Sequence, residues 1–233
     1  MKKIKALLMS SLLTGSAFAN VSSTATMTSD YVFRGITQST HDSAIQGSMD
    51  YEKGNYTVGV WTSSNSLKNS DSALIGQEVD LYIGYSFEIN KENSIQLQYV
   101  DYTYTRDANS NFQEAIVTYS GPWVDIVFGT TQNYGGDDDN GASTYVGVSK
   151  SFEIEPNVSL SLSYGSTSFA EEKKIGTSGY SDYKIGISKQ KGDWTAELFH
   201  TNALGYSEYN SSTDKFDKDE QLSVVGFSLS TTL

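Results

Sequence analysis

The chain has no cysteine and only two prolines among its 233 residues. The lack of cysteine excludes a disulfide framework and any thiolate metal site. The apolar run near the N-terminus is far shorter than the roughly 20 residues that a membrane-spanning helix requires, and no other run is long enough either. The scarcity of proline and the presence of 16 tyrosines favour β-strands, so the composition predicts an all-β protein.

The first 19 residues have the pattern of a secretory signal peptide. Three lysines precede a short apolar region, and the segment ends in the small-residue pattern SAFA. We therefore expect residues 1–19 to be cleaved and residues 20–233 to form one exported domain. Because the signal carries three basic and no acidic residues, its removal changes the formal net charge from −12 to −15. This acidity argues against a nucleic-acid partner, which needs clustered lysine and arginine to neutralise phosphates.

Apolar and polar residues alternate with a period of two along most of the remaining chain. In VDLYIGYSFEI, residues 79–89, one face is apolar and the other carries Asp, Tyr, Gly, Ser and Glu. Such alternation predicts strands with one apolar and one polar face. The predicted strands are 23–34, 43–52, 55–64, 77–89, 93–105, 112–120, 122–131, 142–153, 157–168, 180–190, 193–202 and 220–232.

The connections between these strands alternate between short turns and long polar loops. A β-sandwich mixes loop lengths irregularly, whereas a bacterial outer-membrane barrel needs short periplasmic turns and long external loops. A closed barrel also leaves no unpaired sheet edge in lipid. The pattern predicts a transmembrane antiparallel up-and-down β-barrel of about twelve strands. The alternative is a soluble periplasmic β-protein, whose apolar faces would have to pack together.

The stretch TSDYVFRGITQS, followed by SAIQGSMDYEKGNYTVGVWTSS, resembles the start of the TorF family of porins, also called the Gcw_chp family. The shared elements include Ser29-Asp30-Tyr31, Phe33-Arg34-Gly35, Asp50-Tyr51 and a Gly-aromatic strand that ends at Trp61. The resemblance implies a barrel in the bacterial outer membrane and a pore, but it supplies no substrate.

Arg34 is one of only two arginines and lies at the end of the first predicted strand. If Tyr31 and Phe33 face lipid, Arg34 faces the lumen, because neighbouring residues of a strand point to opposite faces. The lumen is also the favourable side, since a lipid-facing arginine near the midplane costs several kcal/mol. We expect it to form a charge-assisted pair with a lumenal carboxylate. The candidate partners are Glu114, Glu78 and Asp80. The alternative places Arg34 unpaired in water at the outer rim.

The sequence offers little for catalysis or cofactor binding. His41 lies in a predicted external loop, and His200 has no evident nucleophile partner in the sequence, so an enzyme is not expected. Asp137, Asp138 and Asp139 are weak candidates for divalent cations, because they lack the spacing of a dedicated calcium loop. No cofactor and no dedicated metal site are predicted.

These observations predict a narrow porin for passive diffusion of small solutes, with a preference for cations that follows from the acidic excess. The expected partners are outer-membrane lipid, lipopolysaccharide, the barrel-assembly machinery and small solutes. The alternative is a non-conducting structural or surface-interaction barrel that acts through its external loops. The residues predicted to line the lumen are Arg34, Glu78, Asp80, Glu114, Asp182 and Lys184.

Overall fold

A computed structural model of the protein describes residues 20–68, 72–136, 141–218 and 222–233. Twelve of the strands in these segments close a barrel. The barrel strands are β1 (Asn20–Thr28), β4 (Ala44–Lys53), β5 (Tyr56–Ser63), β6 (Glu78–Asn90), β7 (Asn93–Tyr104), β8 (Phe112–Ser120), β9 (Asp125–Thr131), β10 (Ser143–Glu155), β11 (Val158–Phe169), β12 (Tyr180–Lys191), β13 (Trp194–Leu204) and β16 (Val224–Thr232).

The remaining elements lie in the connections between barrel strands. Two small hairpins pair β2 (Val32–Phe33) with β3 (Ile36–Thr37), and β14 (Ser207–Asn210) with β15 (Lys215–Lys218). One helical turn, α1 (Glu172–Ile175), and two 3₁₀ turns (Ala108–Ser110 and Tyr134–Gly136) complete the described elements.

Each barrel strand is antiparallel to both neighbours, and β1 closes the ring against β16. The register aligns Thr28 with Ser228 on one side and with Ala44 on the other. Every backbone ladder is thereby paired, as a sheet in lipid requires. The predicted fold class, a twelve-stranded antiparallel barrel, is confirmed.

The two ends of the barrel differ in their connections. Five connections of two to four residues, together with both termini, lie at one end, here called the turn end. Six longer connections lie at the other, here called the loop end. Gly54 and Gly192 in the short turns have φ of +61°, a conformation that glycine adopts at little cost.

The barrel wall exposes an apolar outer face. Ile83 is 52% exposed, while its neighbour Tyr82 is buried inside. Large apolar side chains such as Met27, Ile45 and Val225 are likewise more than half exposed. A continuous apolar belt of this kind suits contact with hydrocarbon and is rare on water-soluble proteins. None of the described helices is long and apolar enough to span a membrane.

The first wall strand is shorter than predicted. It ends at Thr28, and the chain then turns into the barrel instead of continuing to residue 34. The prediction that Tyr31 and Phe33 face lipid is wrong, because their rings pack inside against Trp61 and Tyr102. The last strand also begins later, at Val224 instead of residue 220.

The local cause of this inward turn is the backbone of the Arg34-Gly35 pair. Arg34 has φ of +47° and Gly35 has φ of +80°, and they join Phe33 to Ile36. Positive φ at both central residues is the signature of a type I′ turn, which closes a tight two-residue hairpin. We call residues 32–37 the inner hairpin. The alternation of residues 29–34 thus belongs to a segment inside the barrel.

Candidate functional site

The tip of the inner hairpin is bound to the barrel wall through Arg34. One guanidinium nitrogen, Nη2, donates to Oε1 and Oε2 of Glu114 at 2.8 and 2.9 Å. Glu114 lies on β8, five positions from β1 in the ring of twelve strands. The side chain therefore crosses the lumen to reach it. Glu114 is one of the three carboxylates that the sequence offered as partners.

The surroundings of this pair are buried and polar. The side chains of Arg34 and Glu114 are 11% and 3% exposed, so Arg34 does not lie in water at a rim. The Tyr102 hydroxyl donates to Glu114 Oε2 at 3.1 Å, and the guanidinium lies 4.2 Å from the centre of the Tyr145 ring. Breaking such a buried pair by removing one partner typically costs about 3–5 kcal/mol.

Asp30 anchors the base of the inner hairpin. Its Oδ1 accepts a hydrogen bond from Thr37 at 2.6 Å, and its Oδ2 lies 2.8 Å from Nδ1 of His41. The Ser39 hydroxyl accepts the backbone N–H of Tyr31 at 2.9 Å. His41, expected to be a solvated loop residue, is half exposed and contacts this buried carboxylate. The first long connection is therefore a folded unit.

The other predicted carboxylates line two opposite walls. Glu78 and Asp80 lie on β6 and Asp182 lies on β12, six positions apart in the ring. All three residues are at least nine-tenths buried. Glu78 Oε2, Asp80 Oδ1 and Asp182 Oδ2 have no hydrogen-bond partner among the described residues. A buried acceptor without a partner costs about 1–3 kcal/mol, so these positions are costly to maintain.

Lys184 lies two residues beyond Asp182 on the same strand, further from the loop end. Its Nζ donates to Glu197 Oε2 on β13 at 2.8 Å and lies 4.6 Å from the centre of the Phe199 ring. Both side chains of the ion pair are partly exposed, so the pair contributes at most about 1 kcal/mol. Its positive charge is nonetheless matched locally by Glu197.

Aromatic side chains on the inner wall lie flat over glycines. Gly59 faces Tyr82 and Gly226 faces Phe199, and a Cβ at either glycine would collide with the ring. Gly165 gives the same room to Tyr145. These rings therefore lie close to the backbone of the wall, in space that a side chain at the glycine would occupy. This arrangement was not predicted from the sequence. The signal that could have indicated it is an inward-facing glycine on one strand and an inward-facing aromatic residue on the neighbouring strand.

A cavity of about 370 Å³ lies beneath the inner hairpin. Arg34 borders it from the inner hairpin and Tyr31 from the residue before it, and small polar residues such as Ser163 and Ser228 line its wall. Asp182 and Lys184, both predicted lumen residues, lie at its side.

Towards the loop end, aromatic rings contact one another in a series, which we call the aromatic row. Neighbouring ring centres lie 4.6 to 6.3 Å apart. The aromatic row consists of Phe33, Tyr102, Phe112, Tyr134, Phe169, Tyr180 and Tyr206. Together with the inner hairpin, it forms a constriction that the sequence analysis did not predict.

The remaining candidates for chemistry are the three aspartates of a predicted external loop and His200. The aspartates Asp137, Asp138 and Asp139 lie outside the described residues, within which no group of acidic or histidine side chains could hold a metal ion. The expectation that His200 lacks a nucleophile partner is wrong, because Nε2 lies 2.9 Å from the Ser223 hydroxyl. Its other nitrogen faces the Tyr183 phenol at 3.4 Å, instead of the carboxylate of a triad.

A closed antiparallel ring with an apolar outer belt and a polar interior defines the architecture of a transmembrane β-barrel. Two solved structures share it. The COG4313 outer membrane channel from Pseudomonas putida F1 superimposes with a TM-score of 0.56 at 11% identity, over 99% of this chain and 100% of that chain. The NanC porin superimposes with a TM-score of 0.52 at 8% identity, over 91% and 98% of the two chains.

The sequence itself identifies the family. The chain belongs to the family described as bacterial protein of unknown function (Gcw_chp), whose profile matches residues 13–229. No curated protein matches the sequence at a significant level.

Proposed function

We propose that the protein is a narrow outer-membrane porin through which small solutes diffuse passively. The observation that carries the proposal is the cavity of about 370 Å³ inside a barrel whose inner wall is polar. Two rings that border the cavity, those of Tyr145 and Phe199, lie over Gly165 and Gly226 of the wall. Similarity to barrels that are named as channels and porins supports the same function.

In this proposal, the inner hairpin is the constriction of the pore. It is held at its tip by Arg34 and at its base by Asp30, and it contacts the wall through side chains without being part of the barrel sheet. Such a segment can narrow the lumen and still be displaced without opening the barrel. The stretch that resembles TorF porins, residues 28–39, includes this hairpin, which supports a role for it in the pore.

The location follows from the outer face of the barrel. We infer that the apolar belt contacts outer-membrane lipid, that the loop end faces outwards to lipopolysaccharide, and that the turn end is periplasmic. Export through the signal peptide of residues 1–19 and insertion by the barrel-assembly machinery complete this proposal.

A second candidate function is a non-conducting barrel that acts through its loops. The aromatic row and the buried Arg34–Glu114 pair favour it, because bulky side chains cross the loop end. The two candidates differ in one property, which is whether the lumen passes ions.

The experiment is single-channel recording of the refolded mature chain in a planar bilayer, beside a variant with a shortened inner hairpin. Tyr31 and Gln38 are already joined by a backbone hydrogen bond of 2.6 Å, so replacing residues 32–37 by Asn-Gly keeps this closing pair. The replacement removes Thr37, while Ser39 and His41 remain as partners of Asp30. A porin gives small discrete steps that become larger in the shortened variant. If both proteins insert and neither conducts, the porin is rejected and the second candidate remains.

A further inference from the structure

We propose that the cavity beneath the inner hairpin binds small solutes that carry a primary ammonium or guanidinium group, and that Asp182 accepts their hydrogen bond. The inference deepens the proposed porin function and rests on it for a role in permeation. The binding itself requires no conduction and can be measured separately.

The first observation is the state of the Asp182 carboxylate. The residue is 5% exposed and lines the cavity, and its Oδ2 accepts no hydrogen bond from the described part of the chain. The Tyr145 hydroxyl approaches the same carboxylate and leaves Oδ2 unpartnered. A buried acceptor that faces a cavity is satisfied most simply by a donor on a ligand.

The second observation is that the other charges around the cavity already have partners. The cavity is bordered by two cationic side chains, Arg34 and Lys184. Arg34 donates its two charge-assisted hydrogen bonds to Glu114, and Lys184 donates to Glu197. Among the carboxylates of the lining, Glu197 is paired with Lys184, and Asp30 accepts hydrogen bonds from Thr37 and Ser39 and faces His41. Asp182 is the carboxylate of this lining that keeps an oxygen without a hydrogen-bond partner among the described residues. The preferred ligand is therefore a cation.

The third observation concerns the remainder of the ligand. The rings of Tyr31, Trp61, Tyr145 and Phe199 also border the cavity. Aromatic faces attract cations and cover apolar carbon, so they suit an ammonium group on a short carbon chain better than a bare metal ion. The volume of about 370 Å³ lies at the lower end of the range for small-molecule sites.

The test uses isothermal titration calorimetry of the folded mature protein in detergent with three probes of similar shape. The probes are butylammonium, the neutral 1-pentanol and the anionic butyrate. We expect butylammonium to bind at least about tenfold more tightly than either of the other probes, as one charge-assisted hydrogen bond would give. This comparison needs no substitution and therefore does not depend on how a variant folds.

The variant Asp182→Asn assigns the site. It keeps the size of the side chain and removes the charge, so the advantage of butylammonium over 1-pentanol should fall to within about threefold. Asp193→Asn is the matched control, since it removes the same charge from the exposed turn between β12 and β13 and should bind as the unsubstituted protein does. Heat-modifiable mobility on gels checks that both variants are folded.

Equal binding of the three probes, or an unchanged preference in folded Asp182→Asn, would overturn the inference. Ion conduction without a preference for butylammonium would support the porin function and exclude the ammonium site. Conversely, an Asp182-dependent preference in a barrel that never conducts would establish the site and reject the porin.

Discussion

The Arg34 guanidinium and the Glu114 carboxylate join the inner hairpin to β8 through hydrogen bonds of 2.8 and 2.9 Å. One partner lies in the first long connection and the other in the barrel wall, 80 residues later in the chain. The pair is buried, and Tyr102 and Tyr145 surround it. The position of the hairpin tip in the lumen is therefore tied to the barrel wall by this ion pair.

Replacing Arg34 by Met should release the hairpin and destabilise the barrel. The substitution leaves Glu114 buried without its counter-charge, which typically costs about 3–5 kcal/mol. The free energy of unfolding, measured by urea titration in detergent, should fall, and the single-channel conductance should rise. Arg106→Met is the control, because Arg106, the other arginine of the chain, is exposed.

The double variant Arg34→Met/Glu114→Gln separates loss of the pair from loss of packing. Removing both charges should recover part of the lost stability, because no unpaired carboxylate remains. The single-channel conductance should stay as high as in Arg34→Met, since the ion pair that holds the inner hairpin is still absent. The single variant Glu114→Gln completes the comparison. If the double variant loses as much stability as Arg34→Met and Glu114→Gln lose together, the ion pair contributes no coupling energy.

Gly35→Ala should displace the tip of the inner hairpin. A Cβ at this position would lie 2.8 Å from Cβ of Asp182, and the backbone φ of +80° disfavours any L side chain. Gly192→Ala is a matched control, because its φ is +61° and a Cβ there meets nothing within 4 Å. Both variants should lose about 1–2 kcal/mol from the backbone, and only Gly35→Ala should change the conductance. Equal conductance in both would contradict a role of the tip in setting the pore width.

The strands of the wall are predictable from period-two alternation, because lipid outside and polar lumen inside impose opposite demands on neighbouring residues. β8 was predicted at residues 112–120 and is found there, and β7 differs from its prediction only in its last residue. The prediction from the same alternation was wrong at residues 29–34. Alternation shows that an extended segment has two different faces, but it does not show whether the segment belongs to the wall or lies inside the barrel. There the segment pairs with itself inside the barrel.

The candidate site was only partly predictable for a related reason. The cost of a charge in lipid predicts that Arg34 has a partner in the lumen. Which of Glu78, Asp80 and Glu114 is that partner depends on the position of the hairpin tip inside the closed barrel. The cavity depends on glycines that face rings of neighbouring strands, such as Gly59 under Tyr82. These contacts are fixed by strand register, and alternation with a period of two does not distinguish registers that differ by two residues.

Gly59→Ala tests whether flat rings keep the lumen open. The added methyl group collides with the Tyr82 ring, which is hydrogen-bonded to Asp50, so the ring must swing towards the lumen. We expect a loss of about 1–3 kcal/mol from overpacking and a smaller conductance. Gly84→Ala is the control, since its Cβ would meet neighbours at 3.5 Å, an ordinary contact distance. A conductance unchanged from the unsubstituted protein would mean that Tyr82 does not border the permeation path.

The absence of cysteine allows the hairpin to be locked by an engineered disulfide. A Cβ at position 35 would lie 3.2 Å from Cβ of Ala203 and 2.8 Å from Cβ of Asp182, so the cysteine itself moves the tip. A movement of a few tenths of an ångström away from both atoms brings the first distance to the about 3.5–4.5 Å of disulfides. The double variant Gly35→Cys/Ala203→Cys should conduct less when oxidised and more after a reductant is added, because reduction frees the tip. The single variant Ala203→Cys, which cannot form the bond, should show no response to reductant. If the locked and the reduced forms conduct alike, displacement of the inner hairpin does not control the pore.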